Sequence, residues 1–201
     1  MVREQIQARG VRDRRVLAAM RKVPRHRFVS REFQNMASMD TPLPIGQAQT
    51  ISQPYIVALM TELAEVAPGE KVLEVGTGSG YQAAVLAELT SRVYTIEILP
   101  ALAARAKATL EALGYTQVQT RVGDGYLGWP EAAPFDAILV TAAPEHVPEP
   151  LVDQLAEGGI LVIPVGPKGG AQELQRFRKK NGALVAEKLI PVSFVPLIHE
   201  R

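Results

Sequence analysis

Five short apolar segments alternate with segments of helical pattern in residues 70–201, and this alternation most constrains how the chain can fold. Each segment has the length and apolar content of a buried strand. The five are KVLEV (71–75), VYTIEI (93–98), VQTRV (118–122), FDAILVT (135–141) and ILVIPV (160–165). Strands that alternate with helices predict a Rossmann-like α/β fold, in which a doubly wound, mostly parallel sheet is covered on both faces. Such sheets bind ligands beyond the carboxyl ends of their strands, where the strand order reverses.

The segments next to the fifth predicted strand have different patterns. Before it, PLVDQLAEGG (150–159) is predicted to be helix and turn. After it, two β-type runs, 173–180 and 183–192, flank Asn181-Gly182. Asn-Gly between two such runs is a strong hairpin signal. We therefore predict an antiparallel C-terminal hairpin at one edge of the sheet.

Residues 1–69 are predicted to form a helical lead-in with a loop. Helical patterns cover the first nine residues, a segment that Asp13 can cap, and a segment that begins at Pro54. Residues 25–53 are predicted to be irregular, because prolines and a glycine mark turns there. We expect a single domain, in which this lead-in precedes a core at 70–201.

Composition and charge exclude several functional classes. The chain has no cysteine, which excludes disulfides, thiol catalysis and cysteine-bound metals. Its formal net charge is +1, which gives no electrostatic reason to expect nucleic acid or an anionic membrane as partner. The sequence shows no run of about 18 apolar residues and no signal-peptide pattern, so a cytoplasmic location is expected. No long apolar stripe demands a partner, and we expect a monomer.

The first predicted strand ends in EVGTGSG (74–80), in which three glycines alternate. Without Cβ atoms the backbone can turn tightly and approach a ligand, and the N-terminus of a following helix offers free N–H groups. In the dinucleotide fingerprint the third glycine comes one residue later, and a phosphate loop would continue with Gly-Lys-Ser/Thr. A nucleophile elbow, G-x-S-x-G, would have serine at the third place, whereas here Thr77 is second and Ser79 is fourth. The turn is a candidate ligand loop, with a plain tight turn as the alternative.

Acidic residues end the next two predicted strands. Glu97 lies about 20 residues beyond the first glycine, where a carboxylate can accept hydrogen bonds from both hydroxyls of a ribose. Asp124 stands between Gly123 and Gly125, where it could bind an adenine amino group. A surface carboxylate for Glu97 and turn chemistry for Asp124 are the alternatives.

The glycine motif, Glu97 and Asp124 together resemble the class I methyltransferases, which use S-adenosyl-L-methionine. The methionine part of that cofactor carries no phosphate, which agrees with the altered glycine spacing. The resemblance implies a cofactor site in the core formed by Gly76, Thr77, Gly78, Ser79, Gly80, Glu97, Asp124 and Gly125.

The residues after the fourth predicted strand bear on the methyl acceptor. They read TAAPEH (141–146), where superfamily members that methylate amino groups often have an Asn/Asp-Pro-Pro-Tyr type motif. Metal-dependent O-methyltransferases need an acidic cluster. None of His26, His146 and His199 has metal-ligand spacing with another, so we expect no metal and interpret each as a surface or packing residue.

A more specific resemblance covers almost the whole chain. TISQP (50–54), preceded by LPIG (43–46), resembles the protein-L-isoaspartate O-methyltransferases, as do VPRHRFV (23–29) and VPL (195–197). The other segments that agree with this family are EVGTGSGYQAA (74–84), GDG (123–125), FDAILVTAA (135–143) and LAEGGILVIPVG (155–166).

This resemblance implies a protein-repair enzyme. It would transfer a methyl group from S-adenosylmethionine to the α-carboxylate of isoaspartyl residues in damaged proteins and peptides. The methyl ester then loses methanol to give a succinimide, which hydrolyses partly to aspartate.

The family pattern also implies roles for individual residues. Ser52 is the catalytic position, and we interpret its hydroxyl as a hydrogen-bonding group that orients the acceptor carboxylate. A helix cap next to Pro54 is the alternative for this serine. Thr50 and Gln53 would lie near the cofactor. The acceptor-binding residues would be Ile51, Ser52, Val195, Pro196 and Leu197.

Two other functions and two departures from the family remain. The chain could methylate a small molecule or RNA, although it shows no basic patch for RNA. It could also be a non-catalytic relative of the same fold.

Ser38-Met39-Asp40 replaces a common Tyr-Glu-Asp type sequence, which bears on packing of the acceptor loop. The tail after Leu197 is short, and we expect it to make no cofactor contact.

Overall fold

The computed structural model describes residues 1–199, apart from the side chain of Lys188. Its strands are β1 (Leu43–Gly46), β2 (Gln49–Ile51), β3 (Lys71–Val75), β4 (Arg92–Glu97), β5 (Gln119–Val122), β6 (Phe135–Val140), β7 (Leu155–Val165), β8 (Gln172–Lys180) and β9 (Ala183–Val192). Its α-helices are α1 (Arg14–Lys22), α2 (Pro54–Leu63), α3 (Tyr81–Ala87), α4 (Pro100–Ala112) and α5 (Glu149–Asp153). Short 3-10 or π turns cover Val2–Ile6, Gln7–Arg9, Arg25–Phe28, Arg31–Met36, Gly125–Leu127 and Pro130–Ala132.

The large sheet has the strand order β5-β4-β3-β6-β7-β8-β9. Strands β5 to β7 in this order run parallel, and β8 and β9 add an antiparallel hairpin. The predicted α/β fold and its C-terminal hairpin are therefore confirmed. From β3 the chain builds outward through β4 and β5, and then crosses to β6 on the other side. The strand order reverses between β3 and β6, which is where sheets of this kind bind ligands.

The helical lead-in packs onto the sheet layer through apolar side chains. Asp13 caps α1, as predicted, because its Oδ1 accepts hydrogen bonds from the N–H groups of Arg15 and Val16. Ile6 and Met20 are 0% and 1% exposed, and they belong to one apolar cluster with residues of α2, α3 and the sheet. The lead-in thus fixes where the loop that follows it can lie.

The prediction of irregular structure for 25–53 was wrong at its C-terminal end. Strands β1 and β2 form a separate antiparallel hairpin there. Its two-residue turn is Gln47-Ala48, with φ of 54° and 55°. Positive φ at both turn positions is the type I′ geometry that suits a hairpin, but Asn-Gly or Asp-Gly usually signals it. Gln-Ala carries no such signal.

Two element boundaries also differ from the predictions. Helix α3 begins at Tyr81 rather than near residue 79, because Gly80 adopts a left-handed conformation at φ 88°. Strand β7 begins at Leu155, inside the segment predicted to be helix and turn, and α5 has only five residues. Among residues 1–199, no helix combines the length and apolar character needed to cross a membrane.

Candidate active site

A cavity lies at the carboxyl ends of β3, β4 and β6, where the strand order reverses. The β1–β2 hairpin covers it from one side and the segment 195–198 from another. Its walls include the predicted residues Thr50, Ile51, Ser52, Gly76, Thr77, Gly78, Ser79, Glu97, Gly125, Val195, Pro196 and Leu197. They also include Glu74, Tyr81, Gln82, Ile98, Leu99, Thr141 and Ile198. Residues distant in sequence therefore meet at one site.

The glycine loop after β3 requires glycine for steric reasons. Gly76 has φ 99°, and a Cβ there would lie 2.6 Å from the Thr141 hydroxyl oxygen. That hydroxyl donates to the carbonyl oxygen of Gly76 at 2.7 Å. The N–H groups of Gly76 and Thr77 both donate to the Ile96 carbonyl, at 2.9 and 3.2 Å. These bonds tie the loop to the ends of β4 and β6.

Glu97 is buried at the end of β4, with 6% of its surface exposed. Its carboxylate accepts hydrogen bonds from the N–H of Gly78 at 2.8 Å and from the N–H of Leu99 at 3.1 Å. These two bonds hold the carboxylate at the cavity wall and leave oxygen lone pairs for a ligand. The alternative of a surface carboxylate is wrong for Glu97.

Glu74 forms the floor of the cavity and is fully buried. Its Oε2 accepts a hydrogen bond of 2.6 Å from the Thr95 hydroxyl, which pairs in turn with the Thr77 hydroxyl at 2.6 Å. Burial, opposed by the Thr95 hydrogen bond and aided by the nearby Glu97 carboxylate, raises the pKa of Glu74 to about 8. Near neutral pH this carboxyl therefore carries a proton.

Two buried side-chain oxygens line this cavity without a hydrogen-bond partner among the described residues, and the one that belongs to Glu74 is an acceptor when its carboxyl is ionised. One is Oε1 of Glu74, and the other is Oε1 of Gln82. The amide nitrogen of Gln82 donates to Thr61, which fixes the direction of its oxygen. Buried acceptors without a partner are rare in proteins, and here they mark a place for a ligand with N–H donors.

Ser52 lies where this cavity meets a second one. The second cavity is bounded by α2, the end of β9 and the segment 193–195, and both cavities share Thr50, Ser52, Thr141 and Val195. The N-cap residue of α2 is Gln53, and the helix has no side-chain cap. Instead, Asp40 Oδ1 accepts from the N–H of Tyr55 at 2.8 Å. The alternative that Ser52 caps this helix is therefore wrong.

Main-chain hydrogen bonds join the segment 195–198, which lines the first cavity and of which Val195 lines both, to the loop after β6. The N–H of Ala143 donates to the Val195 carbonyl at 2.8 Å, and the N–H of Leu197 donates to the Ala143 carbonyl at 2.9 Å. The Val195 carbonyl and the Leu197 N–H are thus already hydrogen-bonded within the chain. Any pairing with an extended substrate must use other main-chain groups.

Asp124 sits behind the cavity wall. Its Oδ1 accepts from the N–H of Tyr126 at 2.8 Å, and its Oδ2 lies 3.0 Å from His199 Nδ1. The rings of Tyr126 and His199 stack, with centroids 3.8 Å apart. Asp124 therefore has the predicted turn contact and also faces the tail. Residues 200 and 201, which belong to the expectation about the tail, lie outside the described residues.

Comparison with known proteins identifies the family. The family model described as protein-L-isoaspartate(D-aspartate) O-methyltransferase matches residues 1–201. The chain belongs to this family. It is 59% identical to a protein-L-isoaspartate O-methyltransferase of Gloeobacter violaceus, over 100% of this chain and 98% of that one.

Two solved structures of protein-L-isoaspartate O-methyltransferases agree with this assignment. The first has a TM-score of 0.89 and 31% identity to this chain. The match covers 98% of this chain and 65% of the solved chain. The other, from Plasmodium falciparum and in complex with S-adenosyl-L-homocysteine, has a TM-score of 0.86 at 29% identity and covers 99% and 97% of the two chains.

For this protein-L-isoaspartate O-methyltransferase family member, the structure brings most predicted site residues to one cavity. Gln53 lies in the second cavity instead. Gly80 is the N-cap residue of α3, and a Cβ there would lie 3.3 Å from Leu110, so its closest contacts are with α4. Sequence reasoning missed Glu74 and Thr141 as cavity residues. Both stand at the carboxyl ends of predicted strands, so the rule that located Glu97 could have found them.

Proposed function

We propose that this chain transfers a methyl group from S-adenosyl-L-methionine to the α-carboxylate of isoaspartyl residues in damaged proteins and peptides. The product ester then closes to a succinimide, which begins repair. Ser52 carries this proposal, because it stands where the two cavities meet. One cavity can hold the cofactor and the other the acceptor.

The first cavity fits the cofactor by the chemistry of its walls. The unpaired Oε1 of Gln82, and that of Glu74 once its carboxyl has lost its proton, can accept from an α-ammonium group. The Glu97 carboxylate can accept from two ribose hydroxyls. The Plasmodium falciparum relative, which binds S-adenosyl-L-homocysteine, supports this use of the cavity. The proposed cofactor residues that line this cavity are Thr50, Gly76, Thr77, Gly78, Ser79, Glu97 and Gly125, with Glu74 and Gln82 added, whereas Gln53, Gly80 and Asp124 lie outside its walls.

When bound, the cofactor supplies an electrophilic methyl group on a sulfonium. The acceptor carboxylate is ionised at neutral pH and needs no general base. The protein must hold one carboxylate oxygen in line with the methyl group and exclude water. The Ser52 hydroxyl has no hydrogen-bond partner among the described residues, and it can donate to that carboxylate.

The second cavity fits a peptide rather than a free anion. Its one arginine, Arg9, is paired with Asp40 at 2.5 Å and stacks 3.5 Å above the Tyr55 ring. The remaining side chains around it are neutral, so they would not hold the carboxylate in an ion pair that blunts its nucleophilicity. The proposed acceptor-binding residues are Ile51, Ser52, Val195, Pro196 and Leu197; Ser52 and Val195 line this second cavity, and the other three line the first.

Protein and peptide substrates are the expected partners. The net charge of +1 gives no basis for nucleic-acid binding. We further propose that the protein acts as a cytoplasmic monomer, because a carboxyl substrate on varied proteins needs no second subunit to recognise it.

Two peptides that differ only in aspartate or isoaspartate at one position test the proposal. The protein is incubated with each peptide and with S-adenosylmethionine carrying a radiolabelled methyl group. We expect base-labile label in the isoaspartyl peptide alone. Label in neither peptide, with cofactor binding confirmed, would refute the acceptor assignment.

A further inference from the structure

A buried arginine lies directly behind Ser52. Arg25 comes from the 3-10 turn after α1 and is only 3% exposed. Among the described residues, no carboxylate lies within ion-pair distance of the Arg25 guanidinium. Burial lowers the pKa of its guanidinium, opposed by the nearby Tyr81 and Asp40. An arginine still keeps its proton, because its ordinary pKa is far above neutral.

The Arg25 guanidinium binds three main-chain carbonyls instead. Its Nη1 donates to Ala37 at 2.8 Å, and its Nη2 donates to Thr41 and to Ser52, both at 3.0 Å. These carbonyls lie before and after the β1–β2 hairpin. The planar Arg25 guanidinium therefore connects the segments before and after the hairpin, and one of its hydrogen bonds is to the main-chain carbonyl of Ser52.

The residues that follow Ser52 are held from another direction. Asp40 accepts from the Gln53 side chain at 3.3 Å and from the N–H of Tyr55 at 2.8 Å. The main chain from the Ser52 carbonyl to Tyr55 is thus held by the side chains of Arg25 and Asp40, both from the lead-in. The hydroxyl of Ser52 takes no part in these bonds.

We propose that Arg25 is a positioning residue for methyl transfer, which holds the main chain of Ser52 so that its hydroxyl can orient the acceptor carboxylate. This inference rests on the proposed role of Ser52. A guanidinium suits the task because its rigid fork reaches several carbonyls at once, whereas a lysine ammonium is a point charge on a flexible stem. Arg25→Lys should therefore keep the charge and lose the geometry.

The first test compares Arg25→Lys with Arg176→Lys. Arg176 is also mostly buried and donates to a main-chain carbonyl, that of Leu63, at 3.0 Å, but it lines neither cavity. We expect kcat on the isoaspartyl peptide to fall by about 10- to 100-fold in Arg25→Lys alone, as a displaced catalytic group predicts. The affinity for S-adenosylhomocysteine should stay unchanged in both variants. Both are assayed well below their unfolding midpoints.

A double-variant cycle with Ser52→Ala separates positioning from a general loss of structure. If Arg25 acts through the serine hydroxyl, Ser52→Ala/Arg25→Lys should be about as slow as Ser52→Ala alone. A wild-type kcat in folded Arg25→Lys, or independent losses that multiply in the double variant, would overturn the inference. Full activity of Ser52→Ala would instead overturn the proposed role of the serine, whatever Arg25→Lys does.

Discussion

The buried Glu74 carboxyl predicts an unusual dependence of stability on pH. Its pKa of about 8 in the folded protein lies well above its ordinary value of 4.5. Between these two values, unfolding releases a proton, because the exposed carboxyl ionises and the buried one does not. The stability that this group contributes is fully present below pH 4.5 and is lost as pH rises through 8.

The size of the effect follows from linkage. One proton released on unfolding lowers the free energy of unfolding by about 1.4 kcal/mol per pH unit. For a protein of this length, that slope corresponds to roughly 3–6 °C in Tm per pH unit. Glu74→Gln keeps the shape of the side chain and removes the titration, so its stability should vary less with pH.

Thermal unfolding of the ligand-free protein and of Glu74→Gln, followed at several pH values from 5 to 8.5, measures the effect. Titrating groups that do not interact with Glu74 contribute equally to both proteins and cancel in the difference between their curves. We expect the Tm of Glu74→Gln to increase steadily relative to that of the wild type as pH rises. Parallel curves would show that Glu74 does not titrate in this range and would refute the reasoning.

Three further predictions concern the site. Ser52→Ala should lower kcat by about 100-fold, the typical cost of one lost hydrogen-bond donor to a reacting group, while calorimetry finds normal S-adenosylhomocysteine affinity; normal turnover would contradict the proposed role. Gly76→Ala should lower the free energy of unfolding by about 1–3 kcal/mol from backbone strain and also weaken cofactor binding, because of the contact with Thr141. Gly114→Ala, at φ 87° with open space around it, is the matched control in denaturant unfolding and should leave that binding intact. At pH 7, S-adenosylhomocysteine should release a proton from Glu74, measured by calorimetry in buffers of different ionisation enthalpy, and Glu74→Gln should abolish that release.

The sheet could be predicted because its signals are local. Each core strand is a short apolar segment, and the Asn181-Gly182 turn of the β8–β9 hairpin has the positive φ values of 53° and 76° that this dipeptide favours. The β1–β2 hairpin could not, because Gln47-Ala48 adopts the same kind of turn without a favourable residue. Tertiary packing imposes that turn: Arg105 on α4 donates to the Ile45 carbonyl, and the Ile45 side chain is buried.

The residues of the candidate site also fall into those that a sequence pattern predicts and those that no pattern predicts. Glu97 and the glycines have fixed spacing, so they could be found by pattern. The elevated pKa of Glu74 depends on complete burial, which no local pattern reports. Within residues 1–199 the hydrogen bonds of Arg25 go to main-chain carbonyls, and no sequence pattern identifies such partners. Its importance becomes visible only when the hairpin has folded against the lead-in.

Strand β2 and the residue after it, Ser52, form a wall common to both cavities, since Thr50 and Ser52 line each of them. A ligand that shifts this wall on one side alters the site on the other. Such heterotropic coupling is reciprocal: if an isoaspartyl peptide changes the affinity for the cofactor by some factor, the cofactor changes the affinity for the peptide by the same factor. The order in which the two substrates bind would then alter the kinetics of assembly and leave the stability of the ternary complex the same.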